Sequence, residues 1–291
     1  MTHHNEFISA EEKHHSAVAE YFSTKTEFWD VVYEKEHPAS GRSLIQQESM
    51  MHRRETALEY ISKYCQKGNA ILDVGCGTGT LALELVRRGY EVSAVDIAEG
   101  MINHLLQKIK KENLNIKCLK SPAEEMPFDN ECFDSITCLG VIEYVPVPEI
   151  ALFEMNRVIK KNGYLIISMP NLLKLNNLLD PVRLIKRGYK YILKSKEKEL
   201  NSLNDLSTNE NFLNKRFRLN KFIEMAEECN FKLIKHECIG YGPFTFNEKN
   251  LFSDSTSLKL HYKLSSLANN FPFNFLKHFC NRWVLCLQKT A

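Results

Sequence analysis

The feature that most constrains this chain is the run Asp73-Val74-Gly75-Cys76-Gly77-Thr78-Gly79. It closes an apolar stretch, Ala70–Gly75 (AILDVG), and opens a segment whose apolar positions Leu81, Leu85 and Val86 recur at helical spacing. An apolar strand, a glycine-rich turn and an amphipathic helix in that order belong to a parallel sheet covered by helices. Glycines let the backbone turn sharply and approach a ligand closely, and amides at a helix start can face an anion such as a carboxylate. A cofactor is therefore expected at this turn.

The same alternation continues through the middle of the chain. Glu91–Asp96 (EVSAVD), Asn115–Lys120 (NIKCLK), Phe133–Gly140 (FDSITCLG) and Tyr164–Pro170 (YLIISMP) read as further strands. A helix carrying Met101, Ile102, Leu105, Leu106 and Ile109 on one face lies between the second and third strands. Another is expected from about Pro148 to Lys161, stopped by Asn162-Gly163. Arg218–Phe231 reads as a helix leading into the strand Phe231–Gly240, and Arg282–Thr290 reads as the last strand. The expected fold is α/β, a doubly wound, seven-stranded and mainly parallel sheet. Its parts are a helical cap at 1–65, the core at 66–171, a return helix and strand at 217–240 and a final strand at 282–291. Two segments break the pattern, a basic helical one at 172–216 and one rich in Phe, Ser and Asn at 241–281, and both read as insertions at the substrate edge of the sheet.

Composition narrows the function classes. Lys and Arg total 38 against 36 Asp and Glu, a net charge of +2 that does not suit a dedicated nucleic-acid binder, so a small-molecule partner is expected. The 9 cysteines form no CxxC pair and their odd number argues against a disulfide framework, which points to a reducing, cytoplasmic setting. The amino-terminal stretch lacks the apolar core of a signal peptide, and no apolar run approaches the roughly 20 residues a spanning helix needs. His3, His4, His14 and His15 have no partners at ligand spacing, so they read as a solvated tail or helix face and no metal is expected.

Spacing decides between cofactors. A dinucleotide fingerprint beginning at Gly75 wants its third small residue at position 80, which is Thr80, and a phosphate-binding loop needs a Gly-Lys-Ser/Thr that does not follow. The pattern with a leading acid, D-x-G-x-G-x-G, instead resembles the first motif of class I S-adenosylmethionine (SAM)-dependent methyltransferases, specifically the small-molecule type seen among ubiquinone-biosynthesis O-methyltransferases. Two more stretches carry the resemblance: Asp96 at the end of the second strand, and Ser121-Pro-Ala-Glu-Glu-Met-Pro-Phe128, where the aspartate common one place before Ala123 is Pro122. The resemblance implies a Rossmann-like core that binds SAM through Asp73, Gly75, Cys76, Gly77 and Gly79. It further implies ribose contact by Asp96, adenine contacts from Ile97, Met101, Ala123 and Glu124, and Leu139 and Gly140 beside the methionine portion.

No motif assigns a catalytic base; Glu143, Tyr144, His236 and His261 are the candidates, and Tyr144 stands where the family often has His. Tyr33 belongs to an aromatic stretch similar to the helix that closes over SAM in many members. Lys174, Arg183, Lys186, Arg187, Lys190, Lys194, Lys196 and Lys198 are interleaved with Leu, Ile and Tyr. That stretch reads as a solvated helix over the pocket, with peripheral contact to an anionic membrane through 172–200 as the other reading. The expected activity is methyl transfer to a small-molecule acceptor, an oxygen first among the candidate atoms. The competing reading is a SAM-fold enzyme or SAM-binding subunit without methyl transfer.

Overall fold

The computed structural model describes residues 2–32, 44–175, 214–246, 249–268, 270 and 272–290. Tyr33 and nearly all of the basic segment, with its membrane expectation, lie outside the described residues.

Three helices precede the sheet: α1 (Thr2–Ser23), α2 (Thr26–Val31) and α3 (Leu44–Tyr64). The core then runs β1 (Ala70–Val74), α4 (Thr80–Arg87), β2 (Glu91–Asp96), α5 (Glu99–Glu112), β3 (Ile116–Lys120), β4 (Phe133–Leu139), a 3-10 turn (Ile142–Tyr144), α6 (Pro148–Val158) and β5 (Ile159–Pro170). After the basic segment come α7 (Leu219–Glu228), β6 (Phe231–Ile239), a short hairpin β7 (Thr245–Phe246) and β8 (Lys249–Asn250), α8 (Asp254–Ala268), a second 3-10 turn (Phe273–Phe279) and β9 (Arg282–Lys289).

The seven-stranded sheet has the order β3-β2-β1-β4-β5-β9-β6, with β9 antiparallel to both neighbours and the other pairings parallel. The order reverses between β1 and β4, so the carboxyl ends of these two strands flank a crevice, the usual ligand site of open α/β sheets. Because both faces are covered by helices, the central strands β1 and β4 are buried along nearly their whole length rather than on alternate residues. Along β1, Ile71 packs with Leu58, Ile61, Leu85 and Leu105 from α3, α4 and α5, while Leu72 faces the opposite layer with Leu152, Met155 and Phe222 from α6 and α7. Asp134 ties the lower edge, accepting from the Ala70 amide at 2.8 Å and pairing with Lys160 at 2.9 Å.

One boundary is corrected. α6 stops at Val158, and Asn162-Gly163 does not end a helix; it lies within β5, where Asn162 takes φ +62 and the pairing with β4 shifts register between Phe133 and Ser135. An Asn-Gly pair supplies the left-handed conformation that a bulge needs as readily as one that a helix stop needs. The 241–281 segment follows β6 at the carboxyl edge, and α8 packs there against α3 and the second 3-10 turn. No helix among the described residues is long and apolar enough to cross a membrane.

Candidate active site

The crevice is a cavity walled by the glycine loop, the ends of β2, β3 and β4, the Ile142–Tyr144 turn and the first three helices. Asp73, Gly75, Cys76, Gly77, Asp96, Ile97, Met101, Ala123, Glu124, Leu139 and Gly140 all line it. Gly79 does not. It caps α4 at φ +83, and a Cβ there would lie 2.2 Å from Leu105 Cδ1, so this glycine lets α5 pack rather than touching the cavity.

Asp96 is the best-oriented polar group. Its Oδ2 accepts from the Gly77 amide and its Oδ1 from the Ala98 amide, each at 2.8 Å, and the Ile97 amide adds to them, which fixes the carboxylate at the loop. Burial raises its carboxyl above the usual range and those amides oppose the shift. Asp73 is buried beneath the loop, bonded by the Thr137 hydroxyl at 2.7 Å; burial pushes its carboxyl up to about 7, against the Thr137 bond and the Ala82 amide at the start of α4.

This corrects one expectation about the glycine loop. The amides of Gly75 and Cys76 donate to Val95 O, that of Gly79 to Cys76 O and that of Gly77 to Asp96. Asp73 takes the Ala82 amide at the start of α4, so these four loop amides and that of Ala82 already have acceptors within the chain. Arg53 of α3 lines the cavity, with Nη1 2.5 Å from where a Gly140 Cβ would be.

The amino-terminal histidines are a second correction. His14 Nε2 donates to Tyr144 O at 2.6 Å and His15 Nε2 to Glu124 Oε1 at 3.1 Å, so both hold α1 across the cavity mouth rather than facing solvent. His3 and His4 have side chains outside the described ones. α2 is fixed to α5 by Asp30, which pairs with His104 at 2.9 Å and with Lys108. Glu11, His15 and Glu124 bring three potential metal-ligand atoms within 4.8 Å of one another. The Glu124 hydrogen bond raises the His15 pKa most, burial opposes it, and the charges of Glu124 and Glu11 add to the rise. A raised folded-state value means this contact stabilises fully below the unfolded imidazole pKa of about 6.5 and fades as pH climbs through the folded value. His15→Gln is therefore expected to lower the melting temperature at about pH 6 and to match the wild type near pH 9 in thermal scans; a constant gap at every pH contradicts the ionic contact.

Of the four catalytic candidates only Glu143 and Tyr144 line the cavity. His236 packs edge-on against Trp283 at 5.2 Å, and His261 is buried in α8 with Nδ1 3.1 Å from Tyr241 O, so both serve the packing around β6 and β9. Burial raises the Tyr144 hydroxyl to about 12. Sequence reasoning missed Arg53, Arg54 and Arg282 and read His15 as solvated; all four line the cavity, as do Phe22 and Trp29 of the aromatic stretch expected to close over the cofactor. A motif search cannot find them, because they come from the cap helices and from β9.

Residues 72–167 match the family described as Methyltransferase domain. The chain is 35% identical over 115 residues to the ubiquinone biosynthesis O-methyltransferase of Coxiella burnetii, a match covering 39% of this chain and 49% of that protein. The chain thus spans about half the length of the curated relatives it matches. Among solved structures, a SAM-dependent methyltransferase from Methanosarcina mazei aligns with a TM-score of 0.55 at 20% identity, over 80% of this chain and 97% of the other. Magnesium protoporphyrin IX methyltransferase from Synechocystis, solved with bound S-adenosylhomocysteine (SAH), aligns with a TM-score of 0.58 at 14% identity, over 94% of this chain and 99% of the other. At those identities the likeness is one of fold.

Proposed function

We propose that this chain is a SAM-dependent methyltransferase that moves a methyl group to a small-molecule acceptor, with oxygen as the methylated atom. The observation that carries the reading is the Asp96 carboxylate, which lines the cavity and is fixed at a glycine loop by backbone amides, a suitable acceptor for a ribose hydroxyl. In this reading Gly75 and Gly77 let the loop approach the cofactor. Ile97 and Met101 flank the adenine, Ala123 and Glu124 meet its edge, and Leu139 and Gly140 lie along the methionine portion. Arg53, set against Gly140, holds the amino-acid carboxylate in the role the loop amides do not fill. Bound SAM supplies an already activated methyl group on its sulfonium, so the protein's work is to align an acceptor and exclude water. α1, pinned by His14 and His15, provides that exclusion. The choice of oxygen is supported by the Coxiella relative, named an O-methyltransferase.

The test is to incubate the protein with methyl-labelled SAM and a low-molecular-weight fraction of cell extract. Label appearing in a small molecule, in a one-to-one ratio with SAH, is the expected result. Label confined to protein or RNA, or no SAH at all, overturns the reading.

A further inference from the structure

The cavity lining includes a further buried carboxylate, one that folding does not fully use. Glu143 sits in the Ile142–Tyr144 turn just past Gly140, with a side chain 1% exposed. Its Oε1 accepts from Arg282 Nη1 at 2.6 Å, and its backbone carbonyl accepts from the Lys215 amide at 2.7 Å. Its Oε2 has no hydrogen-bond partner among the described residues. A buried carboxylate oxygen without a donor is costly, and most such atoms in folded proteins are satisfied. Glu143 and Arg282 both line the cavity, as do Phe22 and Tyr144, whose rings meet edge-on at 5.3 Å.

Resting on the function proposed above, we infer that Glu143 faces the acceptor and receives its proton, with Arg282 as the positioning residue. The acceptor therefore presents a neutral O–H or N–H, and carboxylates are not substrates. As the acceptor's lone pair bonds to the methyl carbon and the carbon–sulfur pair returns to sulfur, the heteroatom's proton passes to Oε2. The products are a neutral thioether, a methylated acceptor and a protonated Glu143, which gives its proton to water once the product leaves. A carboxylate acceptor brings no proton and sets a second negative charge beside Oε2. The Phe22 and Tyr144 rings favour a planar ring on the acceptor.

The test uses the full chain saturated with SAH and calorimetric titration with three small probes, phenol, aniline and benzoate. The wild type is expected to bind phenol or aniline at least about 10-fold more tightly than benzoate, the worth of one charge-assisted hydrogen bond plus relief of repulsion. Glu143→Gln is expected to bring that ratio within about threefold while leaving SAH affinity unchanged, which also shows that the variant folds. Arg282→Lys, which keeps a cation, is expected to retain part of the preference that Arg282→Ala loses. Equal or tighter benzoate binding by the wild type, no binding of any probe, or a Glu143→Gln variant with the full preference overturns the inference. If instead the wild type does not bind SAH, the proposed function itself has failed.

Discussion

Asp96→Ala is expected to lower affinity for SAH by at least about 100-fold, roughly 2.8 kcal/mol at 1.4 kcal/mol per tenfold. The substitution removes the acceptor for both ribose hydroxyls, and hydrogen bonds to a charged group contribute about 1.5–3 kcal/mol each. It also leaves the Gly77 and Ala98 amides, each bonded to Asp96 at 2.8 Å, without their acceptor, which loosens the loop the cofactor must lie against. Asp96→Asn keeps one carbonyl oxygen and is expected to fall between the two. Calorimetric titration decides it. An alanine variant within about threefold of the wild type means the ribose is held elsewhere.

The second large effect separates two glycines of one loop. Gly75 takes φ +67, and a Cβ there would meet Val141 Cγ2 at 2.0 Å; Gly77 takes φ +55 and a Cβ there would meet nothing within 4 Å. Gly75→Ala therefore suffers both backbone strain and overpacking at the end of β4. Together these cost about 2–4 kcal/mol and lower the melting temperature by roughly 5–10 °C. Gly77→Ala suffers only the strain, about 1–2 kcal/mol, so it stays folded, but its methyl group projects where the cofactor must approach and SAH affinity drops at least about 10-fold. Thermal scans and SAH titration of both variants are the check. Similar melting temperatures for the two would contradict the Val141 contact, and unchanged SAH affinity in Gly77→Ala would move the cofactor away from the loop.

The sheet was legible because its signals are local. Strand, turn and helix follow one another within the 72–167 core, and the side-chain pattern of each reflects burial on both faces of a parallel sheet. Asp96 was legible because the end of β2 adjoins the glycine loop in any fold of this order. The rest of the site is non-local. Arg53 reaches the cavity from α3, Arg282 from the antiparallel β9, and His15 from α1, so only the tertiary fold brings them to Gly140, Glu143 and Glu124. The His14-His15 pair shows the same limit: two histidines in a charged helix read as solvated, because the partners that bury them, Tyr144 O and Glu124, lie more than a hundred residues away. His236 and His261 failed in the opposite sense. Histidine chemistry suggested a base, whereas an aromatic contact with Trp283 and a bond to Tyr241 account for them as packing residues.

The central claim is that this cavity is a SAM site. It is tested most directly by titrating the wild-type chain with SAH and, separately, with NAD. Micromolar SAH binding that NAD neither reproduces nor displaces is the predicted result. No SAH binding, or displacement of SAH by NAD at comparable concentration, would contradict it.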